Sequence, residues 1–265
     1  MTDLPENEKK ELIEEIRRIA RMAGDITLRH FQDGVDVMRK KDRSPVTKAD
    51  REAEELILSE MKNINIPYPI IAEEAVAAGD IPDISDTDHF WLVDPLDGTR
   101  EFISGRGEYT VNIALVKRTG PVLGVVYTPV KDYLYSGWGA GTATLSAEKG
   151  PHKPIRTRPF PDIGLTVISS RSHGDTNRIE NFLGERTIAE HMTRGSSLKF
   201  CQIAKGRADI YPRFGPTYEW DIAAGDAVLR AAGGGIYTVT GRPMTYGKER
   251  FWNAEFVATA SDAVF

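Results

Sequence analysis

The sequence has a single cysteine, Cys201, in 265 residues, so no disulfide can form within the chain and a reducing compartment is expected. There is no excess of basic residues. Lys and Arg total 34 against 39 Asp and Glu, a net charge of −5, which leaves no electrostatic footprint for nucleic acid or for an anionic membrane. No apolar run is long enough to span a bilayer. The opening stretch MTDLPENEKKELIEEI is polar and acidic with no apolar core, so it does not read as a signal peptide, and the expected location is the cytoplasm. Internal repeats and low-complexity tracts are absent as well.

What is present is an ordinary globular composition, 40% hydrophobic and 28% charged, at a length that suits one large domain or two closely joined ones. An acidic protein that takes an anionic substrate needs local positive charge, from metal ions or from a few placed Lys and Arg.

Apolar residues at helical spacing (Leu12, Ile16, Ile19, Ala20, Ala23, Ile26) predict a helix over 6–33, closed by Asp33-Gly34. A second helix is predicted from Thr47, as N-cap, to Met61, with Ala53, Leu56 and Ile57 on its inner face. Strands are expected in VDVMRKK, YPIIAEE, FWLVDP (broken by Pro95), YTVNIALV, PVLGVVYTPV and DYLYSGW, and 78–89 reads as an exposed loop. A Pro-rich, charged break covers 145–162. Beyond it strands (LTVISS, ADIYP, AEFVATA) alternate with helices (TNRIENFLG, SLKFCQIAKG, WDIAAGDAVLRAAGG). The pattern predicts a layered α/β or α+β architecture with mixed sheets, in two parts. Residues 1–150 form an α+β half with most of the candidate ligands. Residues 151–265 form an α/β half with Asp221 and the residues that select substrate.

The chemistry concentrates in carboxylates. Asp94 and Asp97 flank a Pro-Gly turn at the carboxyl end of a strand, where α/β sheets place ligands. Gly98 lets the backbone approach a bound group, and if Thr99 opens a helix its free N–H groups can meet a phosphate oxygen. Taken alone, the hexapeptide reads equally well as a β-turn. Glu73 and Glu74 end another apolar run; by themselves they are a solvated acid pair. Asp50 is a first-turn helix acid and Asp221 an N-cap on their simplest readings. All lie at the ends of elements beside apolar runs, where a sheet can gather them into one cleft. Carboxylates without His or Cys select hard cations, magnesium or manganese, and acids so gathered repel one another unless metals neutralise them. The chemistry this implies is metal-assisted hydrolysis of a phosphate ester.

WLVDPLDGT with the later WDIAAG resembles the motif pair of the inositol monophosphatase superfamily, the lithium-sensitive, magnesium-dependent phosphatases, and the likeness runs along nearly the whole chain. Within that superfamily DGTREFISGRGEYTVNIALV, GVVYTPV, ISSRSH, GSSLKFCQIA and YPRFGPTYEWD resemble bacterial CysQ-type 3'(2'),5'-bisphosphate nucleotidases. Arg100 stands where Lys is more usual, and Ala72 where Ser or Gly is. The resemblance implies a layered α-β-α-β-α sandwich with mixed sheets and two to three Mg2+ ions, with Mn2+ as a substitute. Glu73, Asp94 and the Leu96 carbonyl would hold the first metal. Asp94, Asp97 and Asp221 would hold the second. Asp50 would support a third through water, or orient Thr99. Glu73 and Thr99 would position the attacking water, and Gly98 and Thr99 amides would bind the reacting phosphate.

A bisphosphorylated nucleotide has a second phosphate to be held. Lys199 and Arg213 are the candidate cations, with Ser196 and Ser197 as donors and His173 nearby; an Arg can grip phosphate bidentately. Without the resemblance, Lys199 reads as an exposed helix residue, Arg213 as part of a surface turn, His173 as a loop residue and Cys201 as core. The implied activity is removal of the 3'-phosphate of adenosine 3',5'-bisphosphate, and of its sulfated form, in sulfur assimilation. An inositol-phosphate or sugar-phosphate phosphatase of the same superfamily is the second reading. A non-catalytic regulatory or RNA-associated protein is the third; the full acid set and the lack of a basic stripe oppose it. The resemblance leaves room for a homodimer and for peripheral attachment to the cytoplasmic face of the inner membrane.

Overall fold

Alternation along the strands decides the layering. In the apolar run Phe90-Trp91-Leu92-Val93, Phe90 and Leu92 enter one core and Trp91 and Val93 another, as successive side chains of a strand must. A strand buried on both faces needs a layer on each side, and the chain supplies them. The computed structural model describes residues 4–34, 37–40, 45–64, 68–171 and 176–261.

The first half contains α1 (Glu6–Asp33), β1 (Val37–Arg39), β2 (Pro45–Thr47), α2 (Lys48–Asn63), β3 (Ile70–Ala72), α3 (Glu73–Ala78), β4 (His89–Asp97), α4 (Thr99–Ile103), β5 (Thr110–Lys117), β6 (Gly120–Thr128), β7 (Tyr133–Gly137), β8 (Thr144–Ala147) and β9 (Lys153–Pro154). The second contains β10 (Leu165–Ser170), α5 (Thr176–Leu183), β11 (Ile188–Arg194), α6 (Leu198–Ala204), β12 (Ile210–Arg213), β13 (Thr217–Tyr218), α7 (Glu219–Ala231), β14 (Gly235–Thr238), β15 (Trp252–Asn253) and β16 (Phe256–Thr259).

Strands β3 to β9 form a seven-stranded sheet in sequence order, parallel only between β3 and β4. A five-stranded mixed sheet has the order β11-β10-β12-β16-β14. On one face of the larger sheet Ile13, Ile16, Ile19, Ala20 and Ala23 of α1 and Ala53, Ile57 and Met61 of α2 meet Trp91, Val93, Ile113 and Val125. On its other face α6 and α7 pack between the two sheets, Phe200, Ile203, Ile222 and Val228 joining Leu92 and Val126 on one side and Ile168, Tyr211 and Phe256 on the other. Ile179 and Leu183 of α5 cover Leu165, Val167, Ile210 and Val257 on the far face of the smaller sheet. The order is therefore α-β-α-β-α, as expected.

Two glycines set how close α7 comes to the larger sheet. A Cβ on Gly124 would stand 2.8 Å from the Cβ of Ala227, and one on Gly137 would stand 2.5 Å from the Cβ of Ala231. Only a bare backbone on β6 and β7 permits that approach.

Three predicted elements need correction. Pro95 does not break its strand. β4 runs on to Asp97 through a bulge, Asp94 opposite Asn112 and Asp97 opposite Thr110, so three steps on one strand match two on the other. Glu73 and Glu74 do not end a strand but open α3. The Pro-rich stretch read as a break contains β8 and β9, which add two strands to the edge of the larger sheet, where a proline in β9 is tolerated. β11, β13, β14 and β15 fall in stretches for which no element is predicted. No helix among the described residues is long and apolar enough to cross a membrane.

Candidate active site

Glu73, Asp94 and Asp221 each offer a carboxylate oxygen, and the three oxygens lie within 4.8 Å of one another. The acids come from three elements: the first turn of α3, the end of β4 and the first turn of α7. The bulge explains how Asp94 and Asp97 serve one site. Residues three apart on a regular strand point to opposite faces; the extra residue at Pro95 cancels that inversion.

Two of the three acids have one side fixed by a local donor. Oδ1 of Asp94 accepts from the Leu96 amide at 3.0 Å. Oδ2 of Asp221 accepts from the Tyr218 amide at 2.8 Å, the N-cap exchange expected of an acid at the third position of a helix. Asp97 is not among the three clustered acids, although it lines the same cavity. Its Oδ2 accepts from the Ser197 amide at 2.6 Å and from Asn112 Nδ2 at 3.3 Å. Ser197 Oγ donates to the Asp221 carbonyl at 2.8 Å and accepts from Asn112 Nδ2 at 3.0 Å. Ser197 and Asn112 thus tie Asp97 to the helix of Asp221.

Asp50 is buried at the start of α2. Its Oδ2 accepts from both the amide and the hydroxyl of Thr47, at 2.8 and 2.6 Å. Oδ1 accepts from the Thr99 hydroxyl at 3.3 Å, and that hydroxyl also lies 3.5 Å from the Leu96 carbonyl. Gly98 has φ 99°, and a Cβ there would stand 3.2 Å from the Glu108 carbonyl, so the position requires glycine for conformation and for space. Thr99 opens α4 as expected.

The electrostatics are those of acids crowded out of water. Burial raises the carboxyl of Asp94 well above the ordinary range, and Glu73, Asp97 and Asp221 raise it further. Burial does the same to Asp221, with Asp97 and Glu73 adding to it. Burial pushes Asp50 up to about 6, against the pull of Thr47. Such a set holds protons unless a cation neutralises it. Carboxylates and the Leu96 carbonyl, with no imidazole or thiolate, fit a hard divalent cation.

A cavity of about 250 Å3 opens beside the acids, lined by Glu73, Asp97, Gly98, Thr99 and Asp221 and also by Ser196, Lys199 and Arg213. Lys199 is not an exposed helix residue. It is 5% exposed, its Nζ donates to the Ser196 carbonyl at 2.5 Å and stands 5.0 Å from the centre of the Tyr211 ring. Burial lowers its pKa to about 8, although Asp97 opposes the shift. Arg213 is buried at the end of β12, its guanidinium donating to the carbonyls of Gly215 and Pro216 at 3.3 and 3.1 Å. Ser196 holds φ 47°, which turns the chain from β11 into α6. His173 lies outside the described residues, and Cys201 is core.

Sequence reasoning missed Lys40, Asn112 and Glu101. Lys40 Nζ is 2.6 Å from both Glu73 and Glu74. Burial alone would lower its pKa, but the two acids hold it above the ordinary range. The signal for Asn112 was a lone amide inside the apolar run YTVNIALV. Nothing in the local sequence marks Glu101.

The model of the inositol monophosphatase family matches residues 8–262. The 3'(2'),5'-bisphosphate nucleotidase CysQ of Escherichia coli K12 is 42% identical over 252 residues, covering 92% of this chain and 98% of that protein. The protein of that name from Buchnera aphidicola is 39% identical over 256 residues, covering 95% and 94%. Among solved structures, CysQ from Bacteroides thetaiotaomicron superposes with a TM-score of 0.77 at 35% identity, covering 91% of this chain and 94% of that one.

Proposed function

The chain belongs to the inositol monophosphatase family, and we propose that it is a magnesium-dependent 3'(2'),5'-bisphosphate nucleotidase, a phosphoric monoester hydrolase that removes the 3'-phosphate of adenosine 3',5'-bisphosphate to give AMP and phosphate. In this reading the sulfated form of the same nucleotide is a second substrate, the enzyme serves sulfur assimilation, and it works in the cytoplasm. One observation carries the reading: a single cavity is lined both by acids of the candidate metal site and by the buried cations Lys199 and Arg213. A simple monophosphate needs only the acids and their metals.

Glu73, Asp94 and Asp221, with Asp97 and the Leu96 carbonyl, are the residues that would hold two to three magnesium ions. Manganese suits the same oxygens. Bound there, the cations supply charge neutralisation and an activated water. Glu73 and the Thr99 hydroxyl orient that water, and Asp50 fixes the hydroxyl from behind. The amides of Gly98 and Thr99 hold the reacting phosphate. Lys199 and Arg213 grip the second phosphate, with Ser196 in the same cavity; the donors of Ser197 are engaged by Asp97 and the Asp221 carbonyl instead. Residues 1–150 then supply most of the chemistry, and 151–265 supply Asp221 and the selectivity.

The test is a panel of adenosine 3',5'-bisphosphate, inositol 1-phosphate and fructose 1,6-bisphosphate with magnesium, each with and without lithium. The bisphosphate nucleotide is expected to show the highest kcat/KM, and lithium to inhibit. A preference for either sugar phosphate would overturn the nucleotide assignment.

A further inference from the structure

Glu101 is the odd member of the substrate cavity. It lies one position beyond Arg100 in the first turn of α4, two residues after Thr99, and is 9% exposed. It lines the same cavity as Lys199 and Arg213. Its main-chain carbonyl accepts from the Arg106 amide and the Ser104 hydroxyl. Among the described residues its carboxylate has no hydrogen-bond donor and no cation in direct contact, though its charge acts on the buried Lys199. The fold makes room for it: a Cβ on Gly195 would stand 2.9 Å from Glu101 Cγ.

An ionised carboxylate only accepts hydrogen bonds, and this one faces the cavity, where it is free to take a donor from a ligand. In a pocket for a doubly phosphorylated ligand it would also repel phosphate oxygens. The arrangement suits a part of the ligand that carries a donor rather than an anion. Glu101 is within one helical turn of Gly98 and Thr99, which face the reacting phosphate, and the nearest donor on a ribose 3'-phosphate is the neighbouring 2'-hydroxyl.

We propose that Glu101 is a specificity-determining residue that accepts a hydrogen bond from the hydroxyl vicinal to the scissile phosphate ester, so that the site takes ribonucleotide and rejects 2'-deoxynucleotide bisphosphates. The proposal rests on the nucleotidase reading above. A hydrogen bond to a charged acceptor that is otherwise left unpaired corresponds to a preference of about ten- to a hundredfold.

The experiment measures kcat/KM for adenosine 3',5'-bisphosphate and its 2'-deoxy analogue on the wild type, Glu101→Ala and Glu101→Gln, with melting temperatures recorded for all three. The wild type is expected to favour the ribonucleotide by about ten- to a hundredfold, Glu101→Ala to lose most of that ratio, and Glu101→Gln, which keeps one carbonyl acceptor, to retain part of it. A ratio of rates on one folded protein is not moved by a merely structural role. A wild type that turns over both nucleotides equally, or a Glu101→Ala that keeps the full ratio, overturns the role of Glu101 and leaves the nucleotidase reading standing. A wild type that hydrolyses neither nucleotide overturns both.

Discussion

The main-chain amide of Ser197 donates to Oδ2 of Asp97 at 2.6 Å, across 100 positions of the chain. The Ser197 hydroxyl then reaches the Asp221 carbonyl at 2.8 Å. One serine therefore fixes two acids delivered by different sheets and helices. Groups that orient metal ligands in this way commonly matter by ten- to a hundredfold in affinity.

Ser197→Ala, which removes the hydroxyl bond to the Asp221 carbonyl, and Asn112→Ala, which removes a donor to Asp97, are accordingly expected to weaken magnesium binding by roughly tenfold each, with the double variant less than additive because the two side chains are hydrogen-bonded to each other. Calorimetric titration of magnesium into the variants checks this. Full additivity would mean that the two side chains act independently.

The raised carboxyl pKa values give a signed pH dependence. Burial raises Asp94 and Asp221 in the metal-free protein, so cation binding must displace protons and weakens as pH falls. Stability of the metal-free protein moves the other way. Burial raises Asp50 to about 6, and Glu54 and Glu74 each to about 7, above their unfolded values, so folding is favoured while these groups are protonated. That contribution is fully present below about pH 4 and is lost as pH rises through 6 and 7. Melting temperatures without divalent metal are expected to drop across that window, and magnesium to restore more of the loss at pH 8 than at pH 6. An equal magnesium effect at both pH values would contradict the proton competition.

Lys199 offers a second titration. Its pKa, lowered by burial to about 8, means that the free enzyme loses this cation in mild alkali. The kcat/KM for the bisphosphate nucleotide is expected to fall above pH 8. Lys199→Ala and Arg213→Ala should each raise KM for the bisphosphate far more than for a simple monophosphate. Equal effects on the two substrates would count against the role given to this pair.

Packing makes its own prediction. Gly137→Val adds carbon where even a Cβ alone would stand 2.5 Å from the Cβ of Ala231, so α7 must shift or strain. Overpacking of this kind costs about 1–3 kcal/mol, which a melting curve reads as a loss of several degrees. Because α7 carries Asp221, magnesium affinity should fall with it. Unchanged melting and affinity would show that the interface has slack.

Most helices and the central strands were legible because their apolar residues repeat at 3.6 or 2. Asp94 and Asp97 were legible through the turn chemistry around them. What was hidden depends on the partner strand or on distant packing. Pro95 signals a break, yet the bulge against Asn112 and Thr110 keeps β4 intact. β8 and β9 are short edge strands in a polar, Pro-rich stretch with no periodicity to find. Lys199 looked exposed by local pattern, and only the packing of α6 between two sheets buries it. Glu101 became visible only once its carboxylate was seen to lack a donor.

The most direct test is phosphate release from adenosine 3',5'-bisphosphate by Asp94→Asn, with and without magnesium, alongside far-UV circular dichroism. Magnesium-dependent release is expected to fall to background while the spectrum matches the wild type. Turnover retained at the wild-type rate in that variant would contradict the assignment of Glu73, Asp94 and Asp221 as the metal-holding acids.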